Sequence, residues 1–130
     1  MKGFVTNIEK ETLDNANFRK VLYTASYMQL VVMSIPAGED IGEEIHGQDQ
    51  FIRVEAGEAV AVLDGVEHTV GADTAIVIPA GTKHNIINRG EDDLKLYSIY
   101  AAPHHEDGTI HATKADAEKD HEEFLGETTE

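Results

Sequence analysis

The sequence predicts an all-β domain, and three observations carry that prediction. Short runs rich in β-branched and aromatic residues recur along the chain, with turn-forming residues between them. One pair of runs is joined by Asp64-Gly65, a strong two-residue hairpin signal. The length, 130 residues, suits one domain with one real core, and 41% hydrophobic against 27% charged residues is a globular composition.

The elements follow in chain order. Asn7 to Thr12 is a weak one-turn helix. Leu30 to Ile35 is a mostly apolar strand that stops at the turn residues Pro36-Ala37-Gly38. Phe51 to Glu55 is rich in β-formers and ends at Gly57, and Val60 to Leu63 leads into the hairpin. Ala75 to Ile78 runs into Pro79-Ala80-Gly81-Thr82, where Pro at i+1 and Gly at i+3 predict a type I turn from Ile78 to Gly81. His84 to Asn88 and Leu94 to Tyr100 supply two more strands. Strands of this length at this spacing argue for a sandwich or a barrel. Thr113 and Asp116 resemble a capping box, so Lys114 to Leu125 reads as a helix ending before Gly126 at C′. Its apolar residues, Ala115, Phe124 and Leu125, are sparse, which makes it a surface helix.

Charge divides the chain. Ten Lys and Arg against 25 Asp and Glu give a formal net of −15, and residues 104–130 hold nine acids and two bases, or −7 of it. The shift at Pro103-His104-His105 separates a compact body, residues 1–103, from an acidic tail, residues 104–130, that holds the helix of residues 114–125. Phosphate backbones and anionic membrane surfaces repel such a molecule, so neither nucleic acid nor a membrane is an expected partner. Cysteine is absent, which removes disulfides and thiolate catalysis. No apolar run approaches the roughly 18 residues of a membrane span, and the N-terminus lacks a signal peptide's apolar stretch, so a cytoplasmic location is expected. No Walker-type or dinucleotide-binding glycine pattern and no nucleophile elbow is present.

One constellation carries chemistry. Glu44 stands two residues before His46, so on a strand both would leave the same face. Gln50 opens the next strand and shares a face with Ile52 and Val54, while Phe51, Arg53 and Glu55 take the other face. His84 follows the turn after Ala75 to Ile78. A carboxylate, an amide and two imidazoles at one barrel mouth would suit a divalent cation. Asp49 should point away from the interior, and His68, past the hairpin, should be exposed. Tyr97 and Tyr100 fall on opposite faces, so only one can line the interior. His104, His105, His111 and His121 read as solvated loop and helix positions.

These residues resemble the cupin motifs. Gly38, five residues, Glu44-Ile45-His46, three residues, Gln50, six residues and Gly57 is similar to the first motif. Asp73, five residues, Pro79-Ala80-Gly81, two residues, His84, three residues and Asn88 is similar to the second, and 15 residues lie between the two. The resemblance spans about Leu30 to Tyr100 and implies a double-stranded β-helix, or jelly roll, with a small-molecule pocket, often in a homodimer. The departures fall on the ligands. The first motif's leading His is Glu44, its Glu is Gln50, and the second motif's leading Gly is Asp73. The family's three His and one Glu become Glu44, His46, Gln50 and His84, which keeps one negative charge but moves it. Without Gln50 the set is two His and one carboxylate, the ligand type of non-haem Fe(II) oxygenases. Gln50 is then a weak fourth ligand or a hydrogen-bonding partner of one. The resemblance implies a divalent transition ion, Fe, Mn, Zn, Ni or Cu, and Ile52, Val54 and Ile86 are expected to line the pocket.

Three functions fit such a chain. It is a metal-dependent enzyme of the oxygenase or isomerase kind acting on a small polar metabolite, or a sugar- or small-ligand-binding module without turnover, or an isomerase or epimerase of phosphorylated sugars. The third wants a cation in the pocket. Arg53 faces outward, and Lys83 and Arg89 stand at loop edges, which disfavours it.

Overall fold

Alternation of apolar side chains decides which face of each strand turns inward. The computed structural model describes residues 2–130 and places nine strands and two helices in them. Helix α1 (Ile8–Asp14) precedes β1 (Arg19–Thr24) and β2 (Gln29–Ile35). Then come β3 (Asp49–Ala56), β4 (Ala59–Leu63), β5 (Val66–Val70), β6 (Ala75–Ile78), β7 (His84–Asn88) and β8 (Leu94–Ala101). The two-residue β9 (Ile110–His111) and helix α2 (Lys114–Lys119) close the series. All pairings are antiparallel. One sheet has the order β6-β3-β8-β2-β1-β9 and the other β5-β4-β7.

The core lies between the two sheets. Met33, Ile35, Ile52, Ile78, Ile86 and Leu96 are almost wholly buried there, each worth about 1.5–3 kcal/mol on removal from water. In β3, Gln50, Ile52 and Val54 face inward. In β8, Leu94, Leu96, Ser98 and Tyr100 do, so Tyr100 is the interior tyrosine. Tyr97 lies outside against Phe51, ring centroids 6.3 Å apart. Arg53 is also outside and pairs with Glu55 and Asp73.

The local chemistry explains the turns. Asp64 and Gly65 take φ of 48° and 82°, as a type I′ hairpin needs, and Leu63 pairs with Val66. Gly57 has φ of 97°, and a Cβ there would lie 2.9 Å from the Asp93 carbonyl oxygen, so only glycine fits without displacement. Asp73, standing where the second motif has Gly, adopts φ of 66° and donates its N–H to the Val54 carbonyl at 2.8 Å. The turn after β6 is one residue later than the sequence predicts. Thr82 N–H donates to the Pro79 carbonyl at 3.1 Å, while Gly81 N–H is taken by the His46 carbonyl at 2.9 Å.

Other differences come from long-range pairing. β1 and β9 show no clean alternation in the sequence and exist because Arg19 pairs with both Met33 and His111. Helix α1 runs to Asp14, two residues beyond the sequence expectation, and is capped by the Asn7 side chain accepting from Lys10 N–H at 3.0 Å. Thr113 caps α2 as expected, accepting from Asp116 N–H at 3.1 Å, but α2 ends at Lys119 instead of Leu125. Beyond it, Asp120 accepts from His111 Nε2 at 3.0 Å, and Phe124 N–H donates to the His104 carbonyl at 3.1 Å. These contacts hold the segment extended against the barrel. Near the chain's end, Thr129 N–H donates to the Thr24 carbonyl at 2.9 Å.

Candidate metal centre

Glu44 and His84 meet through the backbone. Residues 41–48 belong to no strand, but Glu44 and His84 form an isolated antiparallel bridge and exchange both N–H···O bonds, each 2.9 Å. Residues paired in this way project side chains to the same face. The His84 ring is 6% exposed and donates Nδ1–H to the Thr82 carbonyl at 2.8 Å. That bond fixes the tautomer and leaves the Nε2 lone pair free, as a metal ligand requires.

His46 is placed by the Gly81 N–H on its carbonyl, not by strand alternation with Glu44. Its ring packs edge-on to His84, centroids 4.8 Å apart. Nδ1 faces the Gln48 carbonyl at 3.3 Å and Nε2 faces Gln50 Oε1 at 3.1 Å. Gln50, the first inward residue of β3, is 5% exposed and donates Nε2–H to Ser98 Oγ at 2.7 Å. That bond turns its amide oxygen toward His46.

The donor atoms of Glu44, His46 and His84 all lie within 4.8 Å of one another, so the three could hold a metal ion. Two ligands about 2.1 Å from one ion and at right angles to each other stand about 3 Å apart. The 3.1 Å between His46 Nε2 and Gln50 Oε1 matches that spacing. Glu44 supplies the one charge of the set, and nitrogen and oxygen donors together suit a divalent transition ion. Ile52, Val54 and Ile86 sit in the packed core beneath these residues, at most 1% exposed. Asp49 is exposed and accepts Ala80 N–H at 2.8 Å, and His68 is exposed.

The sequence reading missed the cap of this site. His104, His105 and His111 are not solvated: His105 and His111 are 6% and 4% exposed, and His104 is partly buried. The His104 ring lies 4.9 Å from His46 and stacks on Tyr100 at 5.2 Å. Burial, with the charges of His105 and His46 as further causes, pushes the His104 pKa down to about 4. Burial also holds His105 below the ordinary histidine range, against the raising effect of its hydrogen bond to Glu122. That bond runs from Nδ1 to Glu122 Oε1 at 2.7 Å, and Glu122 Oε2 accepts Glu106 N–H at 2.7 Å. Burial raises Glu122, but the bonds from His105 and Glu106 outweigh it and leave the carboxyl below its usual range. Burial is the main cause of the raised Tyr100 pKa. Arg19 is the other missed residue, 7% exposed on the inner face of β1. No short-range pattern marks these side chains. They become neighbours only when residues 104–125 fold back.

The Cupin domain family model matches residues 31–100, which cover both halves of this site. The chain belongs to the cupin family. The uncharacterized protein YrkC of Bacillus subtilis is 49% identical over 123 residues, covering 89% of this cupin and 66% of that protein. This cupin therefore spans just under two thirds of that relative's length. The crystal structure of BH2720 from Bacillus halodurans is 48% identical, superposes with a TM-score of 0.90, and covers 92% of this chain and 96% of its own. An RmlC-like cupin from Shewanella frigidimarina, 19% identical with a TM-score of 0.59 over 64% of this chain and 73% of its own, shares the fold. The two antiparallel sheets are the jelly roll that the motif resemblance implies. No helix among the described residues is long and apolar enough to cross a membrane.

Two of the cavities on the cupin barrel bear on the site. One of about 640 Å³, lined by Gly57, Arg89 and Asp92 among others, lies at the barrel end opposite Gln50 and His84. The other, about 370 Å³, has Glu44 on its wall together with Arg19, Ile41, Lys114 and Glu118.

Proposed function

We propose that this cupin holds one divalent transition-metal ion on Glu44, His46 and His84, with Gln50 as a weaker fourth donor, and acts as an enzyme on a small polar molecule. The convergence of the Glu44, His46 and His84 donor atoms carries the reading. Of Fe, Mn, Zn, Ni and Cu, each accepts imidazole and carboxylate donors, and such an ion supplies Lewis acidity or a site for O₂. The chain's residues prepare the place. Thr82 orients the His84 ring, Ser98 orients the Gln50 amide, and the Tyr100 and His104 rings keep water from the inner side of His46. The reading includes a homodimer through the outer face of β3, β6 and β8, where Phe51 sits opposite the exposed Val77 and beside Tyr97.

One observation favours a second reading, a metal-free binding module. A neutral His46 can donate Nε2–H to Gln50 Oε1 without an ion, which leaves its Nδ1 lone pair facing the Gln48 carbonyl. The cation-dependent phosphosugar reading has less support. Lys83, Arg53 and Arg89 are each paired with surface carboxylates. Elemental analysis of protein purified without chelator tests the choice. About one transition metal per chain, lost in the His46→Ala, His84→Ala double variant, is the expected result. Full occupancy in the double variant, or a metal-free wild type that takes up no added Co(II), Zn(II) or Fe(II), overturns it.

A further inference from the structure

Arg19 is a buried cation in direct contact with no described carboxylate; Glu122 feels its charge only across space. Its side chain is on the inner face of β1, and the residue is 7% exposed. The guanidinium forms no ion pair with a described carboxylate. Its Nη1 donates to His111 Nδ1 at 3.3 Å, a neutral acceptor because His111 gives its Nε2 proton to Asp120 at 3.0 Å. Its Nε–H is buried and has no partner at all. The Phe18 ring lies against it, with the guanidinium carbon 5.3 Å from the centroid, and offers a face but no acceptor. Every other arginine of the chain is paired with a carboxylate. A buried guanidinium left in this state is costly unless something else completes it.

The surroundings say what that is. Arg19 lines the cavity of about 370 Å³ on whose wall Glu44 also stands. The cavity's other cation, Lys114, is already neutralised by Asp40. Glu43, Glu118 and Asp120 add negative charge to the rim. A dianionic phosphate would face those carboxylates with a single free arginine. A carboxylate carries one charge and matches the planar Nε/Nη2 edge of a guanidinium in a two-point hydrogen bond.

We propose that Arg19 anchors the carboxylate of a small anionic substrate, held in the cavity that Arg19 shares with Glu44. The assignment rests on the metal reading for the ligand's second attachment, near Glu44, but not for the first. Nε is closed to solvent, so the guanidinium turns toward the cavity as the ligand enters. The substrate class is then a carboxylic acid with a further polar oxygen, such as a 2-oxo or 2-hydroxy acid. Arg19 orients it and takes no proton from it, since a guanidinium stays charged at any working pH.

The test uses the full chain with pyruvate as probe and pyruvamide as its uncharged counterpart. In metal-free protein the Arg19 Nε–H resonance, followed by proton–nitrogen correlation spectra, should shift saturably with pyruvate and not with pyruvamide. In protein loaded with Co(II), pyruvate should perturb the visible cobalt bands. Arg19→Met should weaken that response about 10- to 100-fold while leaving Co(II) affinity within about twofold, and Arg19→Lys should fall between. Equal responses to pyruvate and pyruvamide, an unmoved Nε–H, or an Arg19→Met protein that binds pyruvate like the wild type would each overturn the proposal. Failure to take up Co(II) would sink the metal reading alone, because the Nε–H titration reads the anion site without metal.

Discussion

Glu44 and His84 exchange both backbone hydrogen bonds, each 2.9 Å, although 40 positions of sequence separate them. The pairing holds two of the three proposed donors by main chain, so side-chain replacement at either leaves the other in place. Metal binding should therefore fail by loss of a ligand and not by collapse of the site. Glu44→Ala removes the only charged donor and should weaken Co(II) or Zn(II) binding by at least about 100-fold. Gln50→Ala should cost only about tenfold. Competition titration with a metal-sensitive dye measures both, and the reverse order would mean that Gln50 carries the site.

Gln50→Glu returns a carboxylate to the position where the family motif has one. In the metal-free protein this buries a second acid beside His46 and near Glu44, where the Ser98 hydroxyl already accepts from the native amide. Two acids competing for one site repel. The variant should lose about 1–2 kcal/mol of stability without metal, yet bind divalent ions about tenfold tighter. Urea denaturation with and without Zn(II) reads both effects. A variant less stable in both conditions would show that the pocket has no room for a second charge.

The barrel strands were legible because they repeat local signals. β4 and β5 meet at Asp64-Gly65, and the inward faces of β3 and β7 follow from simple alternation. That Glu44, His46 and His84 come together was legible for the same reason: each sits at a fixed offset from a turn glycine or proline. Strand alternation was the wrong cause for Glu44 and His46, which lie in irregular chain positioned by His84 and Gly81. Arg19, His105 and Glu122 were not legible. Arg19 lies in β1, whose sequence shows no clean alternation, and nothing local distinguishes it from a surface arginine. His105 meets Glu122 across 17 positions after α2 ends early, a contact set by tertiary packing and not by propensity.

Gly57 tests the backbone at the end of β3. Its φ of 97° and the Asp93 carbonyl 2.9 Å from a built Cβ leave alanine both strained and crowded. Gly57→Ala should destabilise the domain by about 2–4 kcal/mol. Asp73 also has a positive φ, 66°, but its side chain reaches Arg53 at 2.8 Å on an exposed surface. Asp73→Gly should thus stay within about 1 kcal/mol of wild type. Thermal denaturation of both variants checks the contrast, and a tolerated Gly57→Ala would show that the Asp93 loop gives way.

Glu122 ties the stretch after α2 back onto residues 105 and 106, at the start of the C-terminal segment. Its two oxygens accept from His105 Nδ1 and Glu106 N, both at 2.7 Å. Glu122→Ala leaves the buried His105 N–H without an acceptor and should cost about 2 kcal/mol. The same variant should speed hydrogen exchange in residues 104–125 more than in β2 or β8, if the contact secures this segment first. Uniform acceleration across the chain would mean that the segment and the barrel open together.

Acid should unfold the metal-free protein earlier than its surface carboxylates alone require. In the folded chain His104 titrates at about 4 instead of 6.5, and His105 is also held low, because burial disfavours the imidazolium. The unfolded chain therefore binds protons on these rings first, so stability is full above about pH 6.5 and falls with pH through the interval down to about 4. Glu122 adds to the same trend. Its folded value lies below the ordinary 4.5, so its contribution is lost as pH drops further. Each ring contributes a slope of at most about 1.4 kcal/mol per pH unit, and the partial wetting of His104 reduces its total to about 2 kcal/mol. Urea midpoints of chelator-treated protein should be level between about pH 8 and pH 7 and decline from about pH 6 downward. His104→Gln should shallow the decline without removing it, since His105 remains. A midpoint that stays constant down to about pH 5 would show that the mouth rings are already wet in the folded protein.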